Sequence, residues 1–152
     1  RDLHASLAPS EMCIRDSFGI VYENDVSAED LVKNGVVNLL AFGPTLVNNG
    51  KITVSSNSEV GQSMASNPRT AIGIIDKNHY VIVVSDGRTS ESQGLSLYQL
   101  AQVMKSYGVK TAYNLDGGGS STLYFNGKVI NKPTTNGTIS ERAVSDIVYI
   151  GY

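Results

Sequence analysis

Two aspartates in this chain stand directly in front of glycine: Asp116 in NLDGGGSSTL, Asn114 to Leu123, and Asp86 in VVSDGR. Each follows an apolar, β-competent run, so each carboxylate is expected at the carboxyl tip of a strand. The glycines at 117, 118 and 119 remove every β-carbon from three successive positions. Backbone amides there can turn inward as a concave anion site, and the hydroxyls of Ser120, Ser121 and Thr122 could add donors around it. Such a turn can cradle a phosphate; the competing use of a glycine run is a loose hairpin connection. In open sheets, ligands bind outside the carboxyl ends of parallel strands, so Asp86 and Asp116 are expected to share one site. The alternative is that each merely caps its own turn.

Arginines occupy suggestive positions as well: Arg69 in NPRTAIGI, Arg88 in SDGR and Arg142 in ISERAVSD. A guanidinium fork matches phosphate oxygens in a bidentate way, although an isolated arginine more commonly pairs with a nearby acid such as Glu141 or Asp146. Arg69 is the strongest candidate, because it enters a buried strand where an idle charge is costly to desolvate. A nucleotide-binding P-loop needs Lys before Ser or Thr, and here the glycines run straight into serine. A serine hydrolase is also a poor fit: the flanks do not make G-x-S-x-G, and the histidines are only His4 and His79, the latter a solvated turn residue.

Punctuation along the chain gives the elements that must position these groups. Ser27 with Asp30 caps a short helix that Gly35 stops; VVNLLAF reads as a strand ending at Gly43-Pro44, and KITV as a strand following the turn residues NNG. TAIGIID and HYVIVVSD, separated by Lys77-Asn78, read as an antiparallel hairpin. SLYQLAQVMKSYG carries a capping box in Ser96 and Gln99 and is stopped by Gly108. This helix lies between two strand patterns, so a β-α-β crossover with parallel strands is expected. LYFNGKVIN reads as a tight hairpin over Asn126-Gly127, and SDIVYIGY as a closing strand. The fold class is therefore α+β: a mixed, largely antiparallel sheet with one βαβ crossover and two main helices.

The bulk numbers fit one globular domain of 152 residues, 41% hydrophobic and 17% charged. A net charge of -2 provides no broad basic field for nucleic acid or an acidic membrane surface, so an anion must be held locally. Cys13 is the single cysteine, which excludes an internal disulfide and a thiolate metal cluster. No apolar run is long enough to span a bilayer. Residues 1–17 show neither strand nor helix periodicity and are expected to be a non-native leader, since EMCIRDS resembles translated adapter sequence; a frayed terminus is the alternative.

From about Phe18 to Tyr152 the chain resembles the phosphodiester glycosidase family. The resemblance is carried by LLAFGPTLVNNGKI, NPRTAIGI, VVSDGR followed by GLSLYQLAQVM, NLDGGGSSTLYFNGKVINKP and SERAVSDIVYI, in that order. It implies hydrolysis of the bond between a sugar's anomeric carbon and a phosphodiester oxygen, in an extracytoplasmic setting (secreted or cell envelope). The family's acidic, arginine and glycine-turn motifs fall on Arg69, Asp86, Gly87, Arg88, Asp116, Gly117, Gly118, Gly119, Ser120, Ser121 and Arg142. Members normally continue upstream through another portion of the domain, so residues 18–152 are expected to be a partial domain.

The implied substrate is a glycosyl phosphate or phosphorylated polysaccharide. An oxocarbenium-like transition state needs negative charge near the ring, and the departing phosphomonoester needs donors for its oxygens. The expectation is that Arg69, Arg88 and the 117–121 amides hold phosphate while Asp86 and Asp116 act at the anomeric carbon or direct water. No cofactor is required; a hard cation such as calcium, held by the two acids and Asn114, is the alternative use of the same oxygens. The rival class is a non-catalytic binding module for anionic glycans or cell-wall polymers. The eight tyrosines, three phenylalanines and absent tryptophan do not decide between them.

Overall fold

The computed structural model describes residues 10–15, 17–22, 24–55 and 65–150. Strands β1 (Ser10–Arg15) and β2 (Ser17–Tyr22) are followed by helix α1 (Ala28–Lys33), then β3 (Asn38–Ala41), β4 (Thr45–Asn48) and β5 (Lys51–Ile52). Strands β6 (Arg69–Asp76) and β7 (His79–Ser85) form the expected hairpin, and helix α2 (Leu97–Ser106) leads to β8 (Thr111–Leu115). A 3-10 turn at Gly118–Ser120 precedes two small hairpins, β9 (Tyr124–Phe125) with β10 (Lys128–Val129), and β11 (Thr134–Thr135) with β12 (Thr138–Ile139). Asn126 and Asn136, at φ 48° and 49°, each precede a glycine that also has positive φ, the arrangement a two-residue hairpin turn requires.

The principal sheet has the order β5-β4-β8-β6-β7, and every ladder in it is antiparallel. The β-α-β crossover through α2 does join parallel strands, β7 and β8. They are not neighbours, because β6 inserts between them. Their carboxyl tips therefore leave the same edge of the sheet, two strand spacings or about 9–10 Å apart. The register fixes what sits between: Arg69 pairs with Ser85 and Thr70 with Leu115, so β6 enters the sheet between the residues that immediately precede Asp86 and Asp116.

Both faces of this sheet are covered, which explains why β6 is apolar on both sides. Helix α2 begins at the Ser96 capping box, in which Gln99 N donates to Ser96 Oγ (3.2 Å) and Ser96 N to Gln99 Oε1 (2.8 Å). Its face Leu97, Leu100, Ala101 and Met104 packs on Leu46, Val47, Ala71 and Ala112. On the opposite face Ile72 and Tyr113 pack against Phe18, Ile20 and Leu40 of the three-stranded sheet β2-β1-β3. Tyr113 is fully buried, and its hydroxyl accepts the Phe42 amide at 3.0 Å.

Two sequence expectations change here. Residues 10–15, read without periodicity, form β1, because pairing with both β2 and β3 supplies the order that side-chain alternation does not. SDIVYIGY does not close the sheet: through residue 150 it forms no ladder, and Ile147 and Tyr149 are 76% and 79% exposed. Alternation makes a segment competent for a strand but supplies no partner edge. Among the described residues no helix is long and apolar enough to cross a membrane.

Met104 is fully buried beneath the sheet. Met104→Ala is expected to lower the unfolding free energy by about 2–5 kcal/mol in urea denaturation. A loss below about 1 kcal/mol would contradict the packing of α2 described above.

Candidate active site

Asn67-Pro68, the entry to β6, lies in a groove made by glycine backbones. A β-carbon on Gly87 would meet Pro68 N at 2.6 Å, and one on Gly117 would meet Pro68 O at 2.6 Å. Gly94, at φ +93°, lies so close to Asn67 that a β-carbon would run into its backbone. Bonds stitch the same contacts: Asn67 N and O pair with Leu95 O and N at 3.2 and 3.0 Å, and Gly118 N donates to Pro68 O at 3.3 Å. The glycines behind both aspartates thus allow two strand tips to close on a third segment.

The glycine run itself is a closed turn rather than an open row of amides. Gly117 N donates to Asp116 Oδ1 at 2.7 Å, Ser120 N to Gly117 O at 3.3 Å and Ser121 N to Gly118 O at 3.1 Å. Gly119 presses against Thr135 and Arg142, where a side chain has no room. Ser121 is fully buried and its hydroxyl accepts from Thr70 Oγ1 at 3.0 Å, so it pins the turn to β6. Four of the amides that composition offered as an anion cradle, those of Gly117, Gly118, Ser120 and Ser121, thus already bond protein oxygens.

The arginines separate into two kinds. Arg142 donates to Asp116 Oδ2 and, from Nε and Nη2, to Ser120 Oγ at 2.9 and 2.5 Å; its amide donates to Gly119 O at 3.1 Å. It is thus a brace across the glycine turn. Arg69 and Arg88 are instead near each other. Burial, and then the Arg88 charge, hold the Arg69 guanidinium below its ordinary pKa. Arg69 donates to Leu95 O and Ala65 O, both at 3.1 Å. Arg88, a non-glycine residue at φ 59°, aims Nε and Nη2 at the neutral Asn67 Oδ1, at 2.9 and 2.7 Å. Its Nη1 lies 3.4 Å from where a Gly118 β-carbon would stand. Two guanidinium forks near one another can match the oxygens of an anion such as phosphate.

The two carboxylates differ in their company. Both oxygens of Asp116 are engaged, Oδ1 by Gly117 N and Oδ2 by Arg142. Asp86 Oδ1 accepts from Asn131 Nδ2 at 3.0 Å and Lys132 N at 2.8 Å, whereas Oδ2 meets no donor among the described residues. Asn114 is buried and commits Nδ2 to Gly43 O at 2.7 Å, tying β8 to the segment before β4; its Oδ1 has no partner among the described residues. Among the described residues no group of three or more His, Cys, Asp or Glu is arranged to hold a metal ion.

The sequence thus names acids and arginines that the fold brings to one sheet edge, but it misses Asn67 and Asn131. Both stand in proline-associated turns, Asn67-Pro68 and Asn131-Lys132-Pro133, where asparagine reads as turn chemistry. Only their long-range partners reveal another use.

The profile of the family described as phosphodiester glycosidase matches residues 8–151. The chain belongs to the phosphodiester glycosidase family. It is 35% identical over 151 residues to the SPbeta prophage-derived uncharacterized protein YomE of Bacillus subtilis, a match spanning 97% of this chain and 23% of that protein. It is 33% identical over 106 residues to human N-acetylglucosamine-1-phosphodiester alpha-N-acetylglucosaminidase, covering 66% of this chain and 20% of the human protein. The zebrafish catalytic domain of that enzyme, auto-inhibited by its pro-peptide, superposes with a TM-score of 0.67 at 25% identity, over 89% of this chain and 49% of that one. The chain thus spans about a quarter of these curated relatives and half of the solved phosphodiester glycosidase domain.

If the glycines serve close packing, Gly117→Ala must push Pro68 away. We expect a stability loss of about 1–3 kcal/mol, measured by thermal or denaturant unfolding. An unchanged midpoint would contradict the groove.

Proposed function

We propose that the protein, in its full-length form, hydrolyses the bond between sugar C1 and a phosphodiester oxygen, releasing the sugar and a phosphomonoester. The observation that carries this reading is the placement of Arg69, Arg88 and Asp86, whose Oδ2 meets no donor among the described residues, at the one sheet edge where β6 begins and β7 ends. Cations and an available carboxylate in one place suit a substrate that carries a phosphate on one side of the scissile bond and a developing oxocarbenium on the other.

In this reading Arg69 and Arg88 bind the phosphodiester oxygens. The departing phosphomonoester has a second pKa of about 6, so it leaves with little need for a strong general acid, and guanidinium donors stabilise the charge that collects on it. Asp86 presents Oδ2 to the anomeric carbon, as nucleophile or as base for water. Asp116 acts with Arg142 and Ser120 to hold the glycine turn and its own carboxylate beside the sugar. Support comes from the membership in the phosphodiester glycosidase family and from the different bonding of the two acids.

The test uses the full-length protein and a small panel of sugar 1-phosphodiesters, with free sugar and phosphomonoester quantified separately. Asp86→Asn is expected to lower kcat by about 10²- to 10⁴-fold. Arg88→Ala is expected chiefly to raise KM. Wild-type turnover by Asp86→Asn would remove the aspartate from the mechanism. Saturable binding of every diester without turnover by the unaltered protein would replace the enzyme with a glycan-binding module.

A further inference from the structure

The segment from Asn131 to Thr134 runs alongside the Asp86-Gly87 tip and bonds to it repeatedly. Asn131 Nδ2 and Lys132 N both donate to Asp86 Oδ1, at 3.0 and 2.8 Å, and the buried Thr134 hydroxyl donates to Gly87 O at 3.1 Å. Asn131 reaches the glycine turn as well: Nδ2 donates to Ser121 O at 2.6 Å, and Oδ1 accepts from Leu123 N at 2.7 Å. One side-chain amide therefore spans from Asp86 to the chain that leaves the glycine turn. Turning that amide over would set its oxygen against a carboxylate and a carbonyl, so its orientation is fixed by its partners.

Both donors to Asp86 are neutral. The Lys132 ammonium bonds Glu91, whose hydrogen bond and then charge raise the lysine's pKa, with a smaller contribution from the Asp86 charge. Both hydrogen bonds to Asp86 thus come from neutral dipoles, and both fall on the same oxygen. That arrangement stops rotation of the carboxylate and leaves Oδ2 as the oxygen available to a reacting group. Asp116 shows the contrast, since a guanidinium occupies its Oδ2.

We infer that Asn131 is a positioning residue: it locks the Asp86 carboxylate with Oδ2 directed at the substrate and couples that orientation to the glycine turn. The inference rests on the proposed role of Asp86 at the anomeric carbon. Asn131 touches no substrate in this role and acts only through Asp86, so its removal slows turnover without weakening binding.

The experiment uses Asn131→Asp in the full-length protein, an isosteric change that keeps the acceptor for Leu123 N but sets an oxygen against Asp86. With an N-acetylglucosaminyl 1-phosphomethyl diester as probe, kcat is expected to fall about 10²-fold, as a misplaced reacting group does, with KM unchanged. Asn131→Ser, smaller and uncharged, is expected to show the same split and serves if the aspartate variant does not fold. Unchanged kcat, or a rise confined to KM, overturns the inference while leaving the proposed hydrolysis intact.

A thermal double-mutant cycle reads the contact without any activity. Asn131→Asp should lower Tm when Asp86 is present, and the loss should be smaller beside Asp86→Asn, where the new carboxylate no longer faces a second negative charge. Equal losses in both backgrounds overturn the inference even if the unaltered protein cleaves none of the diesters, an outcome that by itself refutes the proposed function.

Discussion

The arrangement of this protein depends on the backbone of Asn67-Pro68 lying against three other backbones, those of Gly87, Gly94 and Gly117. A β-carbon at any of these positions would overlap the Asn67-Pro68 backbone, at separations no real side chain adopts. Because β6 begins at this wedge and is flanked by β7 and β8, the wedge draws the tips Asp86-Gly87 and Asp116-Gly117 to one place. Arg69 follows directly, and Arg88 reaches back to Asn67. The acids and arginines thus share one sheet edge because the backbone is closely packed there, and the glycines are the condition for that packing.

Much of the local structure is legible in the residues themselves. Ser96 and Gln99 form the capping box their spacing announces, Asn126-Gly127 makes its hairpin, and both aspartates sit at strand tips on the same edge. These features depend on contacts within a few residues or on strand direction after a crossover, which sequence pattern reports well. The purpose of the glycine run was harder to read. Composition cannot tell whether absent β-carbons admit a ligand or another stretch of backbone, and here it is Pro68 that approaches.

What the sequence does not carry is pairing at long range. The insertion of β6 between the strands of the crossover, the use of residues 10–15 as β1, and the reach of Asn131 across to Asp86 all depend on separations of tens of residues. Nor does alternation in residues 145–150 reveal that no strand edge receives them. The acids likewise look equivalent as Asp-Gly pairs. Only the structure distinguishes them, one braced by a guanidinium on the same oxygen that in the other stands open.

The central claim is that Arg69 and Arg88 hold the phosphate of a glycosyl phosphodiester while Asp86 Oδ2 faces its anomeric carbon. The most direct measurement is a crystal structure of the full-length Asp86→Asn protein soaked with an uncleaved sugar 1-phosphodiester. The account predicts phosphate oxygens within hydrogen-bonding distance of both guanidiniums and the sugar C1 beside residue 86. A diester bound elsewhere, or bound here with its phosphate turned away from the arginines, would contradict it.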